Sequence, residues 1–229
     1  MKIKTFAFLA FLLVIISCQK NDSNDPPTPP AADKYVTIST GSTWNYHETD
    51  ASDPSNVTNT DYTVISLSGD TSIGGKSYHI FSNSLGGNQY LNLTGSDYYQ
   101  WDSLPEALGT VVFERLYLKD NAAMGINWSQ SLSVTIPGVP LPIPVTITNT
   151  IAEKGISRSV NGVVYTDVIH VTTALSSSLI PAASLTTSID SYFAGKYGLI
   201  ENSNIVHLDY AGITQDVNIV TRLVTATLL

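Results

Sequence analysis

The sequence predicts an all-β protein. Its form is a strongly curved antiparallel sheet of half-barrel type or a two-layer β-sandwich, with little helix outside a signal peptide. Three observations predict it. From Tyr35 onward, runs dominated by Val, Ile, Thr and Tyr alternate apolar with polar residues, the types and the period that suit a pleated surface. Turn signals built on Gly, Asn, Asp and Ser break these runs at intervals of roughly 8 to 12 residues, the rhythm of an antiparallel meander. Stretches rich in Ala, Leu, Glu and Lys at helical spacing are missing.

The elements follow in order. Gly41-Ser-Thr-Trp44-Asn-Tyr46 opens the first strand with its aromatics two apart, on one face. An acidic turn at 50–56 leads to a strand over 58–67, which ends at Ser68-Gly69-Asp70. Gly74-Gly75 turns the chain into 76–82, Gly86-Gly87-Asn88 into 89–94, and Gly95-Ser96 into 97–102, where Tyr98, Tyr99 and Trp101 cluster. Residues 110–118 fit a helix or a strand by spacing, and the β-branched Val111 and Val112 favour strand. Gly125-Ile-Asn-Trp128 opens a strand over 128–136 and echoes Gly41-Ser-Thr-Trp44.

Residues 137–145, Pro-Gly-Val-Pro-Leu-Pro-Ile-Pro-Val, lack amide hydrogens at Pro137, Pro140, Pro142 and Pro144. Such a segment is an edge, a loop or a polyproline stretch, not a central strand. Val139, Leu141, Ile143 and Val145 share one side of it, an apolar ridge that suits the lip of a ligand groove or a partner contact; the alternative is an edge strand packed under a loop. A strand over 147–153 follows. Asn161-Gly162 is the clearest hairpin signal, a type I′ turn. Val168-Ile169 is apolar on both faces, which predicts a central strand covered on both sides. A small-residue loop over 176–184 precedes strands at 185–193, 205–210 and 217–228.

The N-terminus carries a different kind of information. Lys2 and Lys4 precede an apolar run over 6–16, too short for a spanning helix and placed as a secretory signal. Ile15-Ile16-Ser17-Cys18 puts a small residue before the chain's single cysteine. This resembles the lipobox of bacterial lipoproteins, which implies that Cys18 is acylated and becomes the first residue of the mature chain. Acylation of Cys18 leaves no disulfide within the chain, so stability must come from the core. The division expected is a signal peptide over 1–17, a lipidated tether over 18–34, polar and proline-rich, and a single all-β domain over 35–229. Cys18-Gln19-Lys20-Asn21-Asp22 also looks like the surface-export signal of Bacteroidota lipoproteins. That resemblance implies a lipid-anchored protein of the outer membrane facing the cell surface; the alternative is a generic linker facing the periplasm.

Net charge is −8. It becomes more negative once Lys2 and Lys4 leave with the signal. No basic run exists, so nucleic acid is not an expected partner. The partners expected are the membrane, through the anchor, and a hydrophobic small molecule, a glycan or an envelope protein.

Gly41-x-x-Trp44-x-Tyr46, Gly125-x-x-Trp128 and Tyr192-Phe193-Ala194-x-x-x-Gly198-Leu199-Ile200 resemble motifs of a large group of Bacteroidota lipoproteins of unassigned function. Many of those are built on a curved sheet similar to the half-barrel of LolA/LppX-type lipid carriers. The resemblance implies that Gly198-Leu199-Ile200 is structural, a tight turn delivering a strand into the sheet. This chain departs from the carriers in having no amphipathic helix to plug the concave face.

Candidate sites are few. His47, Glu48, Asp50, Asp53 and Asp61 fall close together, but their spacing matches no calcium loop and they read as solvated turn carboxylates. His79, His170 and His207 sit on separate strands and read as hydrogen-bonded sheet residues. The folded region has no Gly-x-Ser-x-Gly, His-Glu-x-x-His, Gly-x-x-x-x-Gly-Lys or Ser-x-x-Lys motif. No catalytic residue, metal or cofactor is therefore expected. The ligand-binding residues expected are Tyr98, Tyr99, Val139, Leu141 and Ile143. Asp102-Ser103-Leu104 matches a short bacterial O-glycosylation pattern, with Ser103 as acceptor. The function expected is non-catalytic: an envelope lipoprotein binding a ligand or partner, with an apolar molecule on the concave sheet face. The alternatives are a surface-displayed adhesion or glycan-binding sandwich and, with no motif behind it, an envelope hydrolase.

Overall fold

The computed structural model describes residues 34–103, 111–135 and 142–229. The signal peptide, Cys18, residues 18–33 of the tether, Val139 and Leu141 lie outside the described residues. Residues Asp33–Leu229 form one compact unit.

Twelve strands make it: β1 (Thr43–Asp50), β2 (Thr58–Ile73), β3 (Lys76–Asn83), β4 (Asn88–Thr94), β5 (Asp97–Ser103), β6 (Val112–Lys119), β7 (Asn127–Val134), β8 (Ile143–Val160), β9 (Val163–Ser176), β10 (Leu185–Ala194), β11 (Gly198–Tyr210) and β12 (Ile213–Thr227). The helical content among the described residues is one 3-10 turn, Ala182–Ser184. All pairings are antiparallel, in the order β6-β5-β4-β3-β2-β1-β12-β11-β10-β9-β8-β7. The all-β, strongly curved sheet expected from the sequence is what forms. Of the two forms expected, the curved sheet is the one found, and it curls until it is nearly closed into a barrel.

The chain forms two six-stranded meanders. The backbone ladder joins them at β1 and β12, from Thr43 opposite Thr227 to Asp50 opposite Ile219. Trp44 and Trp128, the two tryptophans of the Gly-x-x-Trp echo, stand near the start of β1 and β7, the first strand of each meander. Bulges supply the bend, since an extra residue on one strand kinks it and raises its twist. They lie at Asn45/Tyr46, at Tyr98/Tyr99, at Tyr192/Phe193 and three times along β8.

Two sequence expectations change here. The strand expected to stop at residue 67 runs on to Ile73, because pairing jumps from Ser66↔Phe81 to Asp70↔His79 and the ladder resumes. Gly69, at φ +97°, makes that excursion inexpensive. Pro144 lies inside β8, a strand with neighbours on both sides. The proline is tolerated because β7 alone pairs with it there, opposite Ser133; pairing with β9 begins at Thr146. The strands expected at 147–153 and 205–210 are parts of longer ones, β8 and β11. The strand reading favoured for 110–118 holds for the described part of that stretch, in β6 (Val112–Lys119). Asn161 (φ +50°) and Gly162 (φ +82°) turn β8 into β9. Val168 to Val171 are all buried, as a strand covered on both sides requires.

One end of the barrel is closed by the residues preceding β1. Lys196 N donates to Lys34 O at 2.7 Å. Tyr35 N donates to the Tyr98 hydroxyl at 3.0 Å, and the Tyr35 hydroxyl donates to Asp167 O. Ser66 Oγ donates to Ile38 O. This strap, rather than an amphipathic helix, covers the end, and Tyr35 is buried beneath it with Tyr98, Tyr117, Leu118 and Phe193. A smaller cluster of Val134, Ile143, Ile180 and Leu208 packs near the opposite strand ends.

Candidate functional site

A barrel of twelve strands is wider than its inward side chains can fill. The lumen here holds a cavity of about 890 Å³, within the size range of small-molecule pockets. Among the described residues, every strand except β7 contributes to its lining.

Alternation selects the lining residues. Trp44 and Tyr46 of β1, Tyr62 and Val64 of β2, Phe81 of β3, and Phe113 and Tyr117 of β6 form much of the apolar surface. Trp44 meets Phe81 edge-on at 5.7 Å. Tyr117 meets Phe193 at 5.5 Å, a contact from β6 to β10 over three intervening strands that narrows the lumen below the strap. Val36 of the strap, Tyr197 of the β10–β11 turn, and Gly198 and Leu199 at the start of β11 also line the cavity. The Tyr46 hydroxyl donates to Leu199 O at 2.9 Å. Burial pushes the Tyr46 and Tyr117 phenols well above the usual tyrosine range. Burial, with the Glu48 charge, takes Tyr62 to about 12. These phenols are therefore neutral at ordinary pH.

Polar groups interrupt the apolar wall in two places. Gln89, Gln100 and Arg115 lie on β4, β5 and β6, with Gln100 opposite Arg115. Thr173, Ser191, Asn202 and Asn204 lie on β9, β10 and β11. Most of the second group is internally bonded. Asn202 Nδ2 donates to Ser191 Oγ at 2.9 Å, and Thr173 Oγ1 donates to Asn149 Oδ1 at 2.7 Å. Asn204 Oδ1 and Trp44 Nε1 are buried with no hydrogen-bond partner among the described residues.

The charged side chains pair chiefly across neighbouring strands. Each of the four histidines meets a carboxylate in this way: His47 with Asp61 at 2.7 Å, His79 with Asp70 at 3.0 Å, His207 with Asp216 at 2.7 Å, and His170 with Glu153 and Asp190 at 2.9 and 2.8 Å. Glu201 is buried between Arg158 and Arg222, and Arg158 stacks on Tyr192 at 3.7 Å. No group of three or more His, Cys, Asp or Glu among the described residues is arranged to hold a metal ion.

The expected ligand residues are dispersed. Tyr98 is buried, and its hydroxyl donates to Asp120 while accepting from Tyr35 N. Tyr99 lies in the opposite phase from the lining residue Gln100, below Lys76 Nζ at 4.8 Å. Ile143 is buried in the cluster at the far strand ends, so this part of the apolar ridge is covered. Ser103 ends β5, its backbone opposite Val112. The sequence reading missed Gln89, Gln100, Asn202 and Asn204. A signal existed for the last two, which share the inward phase of Ile200, Val206 and Leu208 on β11.

The architecture is that of a nearly closed antiparallel β-barrel with a lumen lined by aromatic, aliphatic and polar side chains. No protein-family model and no curated protein matches the chain. Among solved structures it is similar to a candidate lipoprotein of Parabacteroides distasonis ATCC 8503, at 10% identity and TM-score 0.48, covering 86% of this chain and 100% of that one. It is also similar to a candidate exported protein with a YmcC-like fold from Bacteroides fragilis NCTC 9343, at 8% identity and TM-score 0.41, with the same coverage.

Proposed function

We propose that this chain is a non-catalytic, lipid-anchored protein of the outer membrane, facing the cell surface, that carries an apolar small molecule inside its barrel. The observation that carries the reading is the lumen: about 890 Å³ of space walled by Trp44, Phe81, Phe113, Tyr117 and Phe193. An apolar guest there leaves water at roughly 25 cal/mol for each Å² buried. The anchor and the location rest on the signal and on the Cys18-Gln19-Lys20-Asn21-Asp22 segment.

The test is native mass spectrometry of the protein purified from its own cell envelope. A co-purifying mass in the lipid range, beyond the covalent anchor on Cys18, is the expected result. A ligand-free mass, with no uptake of added lipid extract, overturns the reading and redirects effort to glycan arrays and partner crosslinking.

A further inference from the structure

We infer that the lumen takes an amphiphile whose polar end is an uncharged amide or hydroxyl, held by the Asn204 carboxamide, with its tail along the apolar part of the lining. The inference rests on the lumen being a binding site.

Asn204 lines the cavity, and its Oδ1 is buried with no partner among the described residues. Its neighbour in the same phase, Asn202, is instead tied to Ser191 Oγ and Asp190 O. Asn204 Oδ1 is thus an acceptor that lacks a donor. A hydrocarbon laid against it leaves it unpaired. A carboxylate offers acceptors alone and leaves Oδ1 facing another oxygen. A hydroxyl or an amide supplies the O–H or N–H that Oδ1 lacks. Buried polar groups discriminate strongly against a ligand that cannot pair them. Trp44 Nε1 is a second buried group in the lining without a partner among the described residues, in this case a donor, and Trp44 as a whole is 3% exposed. A ligand acceptor is the partner this group requires.

The experiment uses residues 19–229, since Asp33–Leu229 form a compact unit with their own core. N-phenyl-1-naphthylamine, an apolar fluorescent probe, is loaded and then displaced by dodecane, dodecanol, dodecanamide and dodecanoate. The expected result is displacement by the alcohol and the amide at concentrations about tenfold or more below the other two. Asn204→Leu is expected to bring the four within about threefold while still binding the probe. Equal displacement of all four from the wild-type chain, or preference for dodecanoate, overturns this inference and leaves the lumen as a binding site. Failure of the probe and all four compounds to bind removes the lumen reading itself. The wild-type ranking decides even where the variant fails to fold.

Discussion

The indole N–H of Trp128 on β7 donates to the carbonyl of Leu116 on β6 at 2.7 Å, where the backbone ladder stops. Two further bonds span the same gap. Gln130 Nε2 donates to Glu114 O at 2.8 Å, and Asn149 Nδ2 donates to Leu116 O at 3.3 Å. Trp128 and Gln130 are two apart on β7, and their acceptors are two apart on β6. Side chains thus reproduce the strand period across the seam and cover carbonyls that an open edge would present to other chains.

Trp128→Phe keeps most of the packing and removes one of these bonds. The expected loss is about 1 kcal/mol. Amide exchange should accelerate in β6 and β7 and remain unchanged in β1 and β12. Hydrogen exchange with mass spectrometry checks this; equal protection of β6 and β7 in the variant and the parent would show that other contacts hold the seam.

Tyr98→Phe tests the strap. The lost hydroxyl leaves Tyr35 N and Asp120 Oδ2 each short of a partner, at a cost of about 1–3 kcal/mol. Thermal melting should drop, and a protease should cut near residue 35 sooner. A variant as stable and as resistant as the parent would mean that the strap is held without this bond.

Gly198 has φ +71°, and a Cβ built on it meets Tyr35 O at 3.4 Å. Gly198→Ala combines a left-handed backbone with pressure on the strap, and should cost about 1–2 kcal/mol. Chemical denaturation of the variant measures it, and an unchanged midpoint would contradict the role assigned to this turn.

Tyrosine titration sets the alkaline limit. Burial first, then the hydrogen bond to Glu114, takes Tyr78 to about 12, alongside Tyr62 at about 12. Both are raised, so the unfolded chain releases these protons first. The stability they confer is complete below pH 10 and is lost as pH rises from 10 towards 12. Glu114 acts in the opposite sense. Burial pushes its carboxyl up, but hydrogen bonds from Lys76 and Tyr78 outweigh burial and hold it below the usual range. Its contribution is complete above the ordinary carboxylate pKa and falls away as pH drops through its folded value. The tyrosinate absorbance of Tyr62 and Tyr78, read as the difference between the parent and the Tyr62→Phe and Tyr78→Phe variants, should appear together with loss of the folded circular dichroism signal; its appearance near pH 10 in a still-folded chain would contradict the burial of these phenols.

The sequence by itself determined the strands, their turns and the antiparallel class. These are local properties: period-two alternation at Trp44 and Tyr46, and the left-handed pair Asn161-Gly162. Tertiary structure decided how far the sheet curls, because one continuous sheet depends on β1 meeting β12, strands at opposite ends of the described chain, and its near-closure depends on β6 and β7 meeting across the seam. It also decided the site. Tyr98 and Gln100 share the inward side of β5, yet Tyr98 is spent on the strap and Gln100 faces the lumen. Alternation assigns a residue to a face. Whether that face meets a neighbouring side chain or open space is set by the width of the barrel, which emerges once all twelve strands are paired.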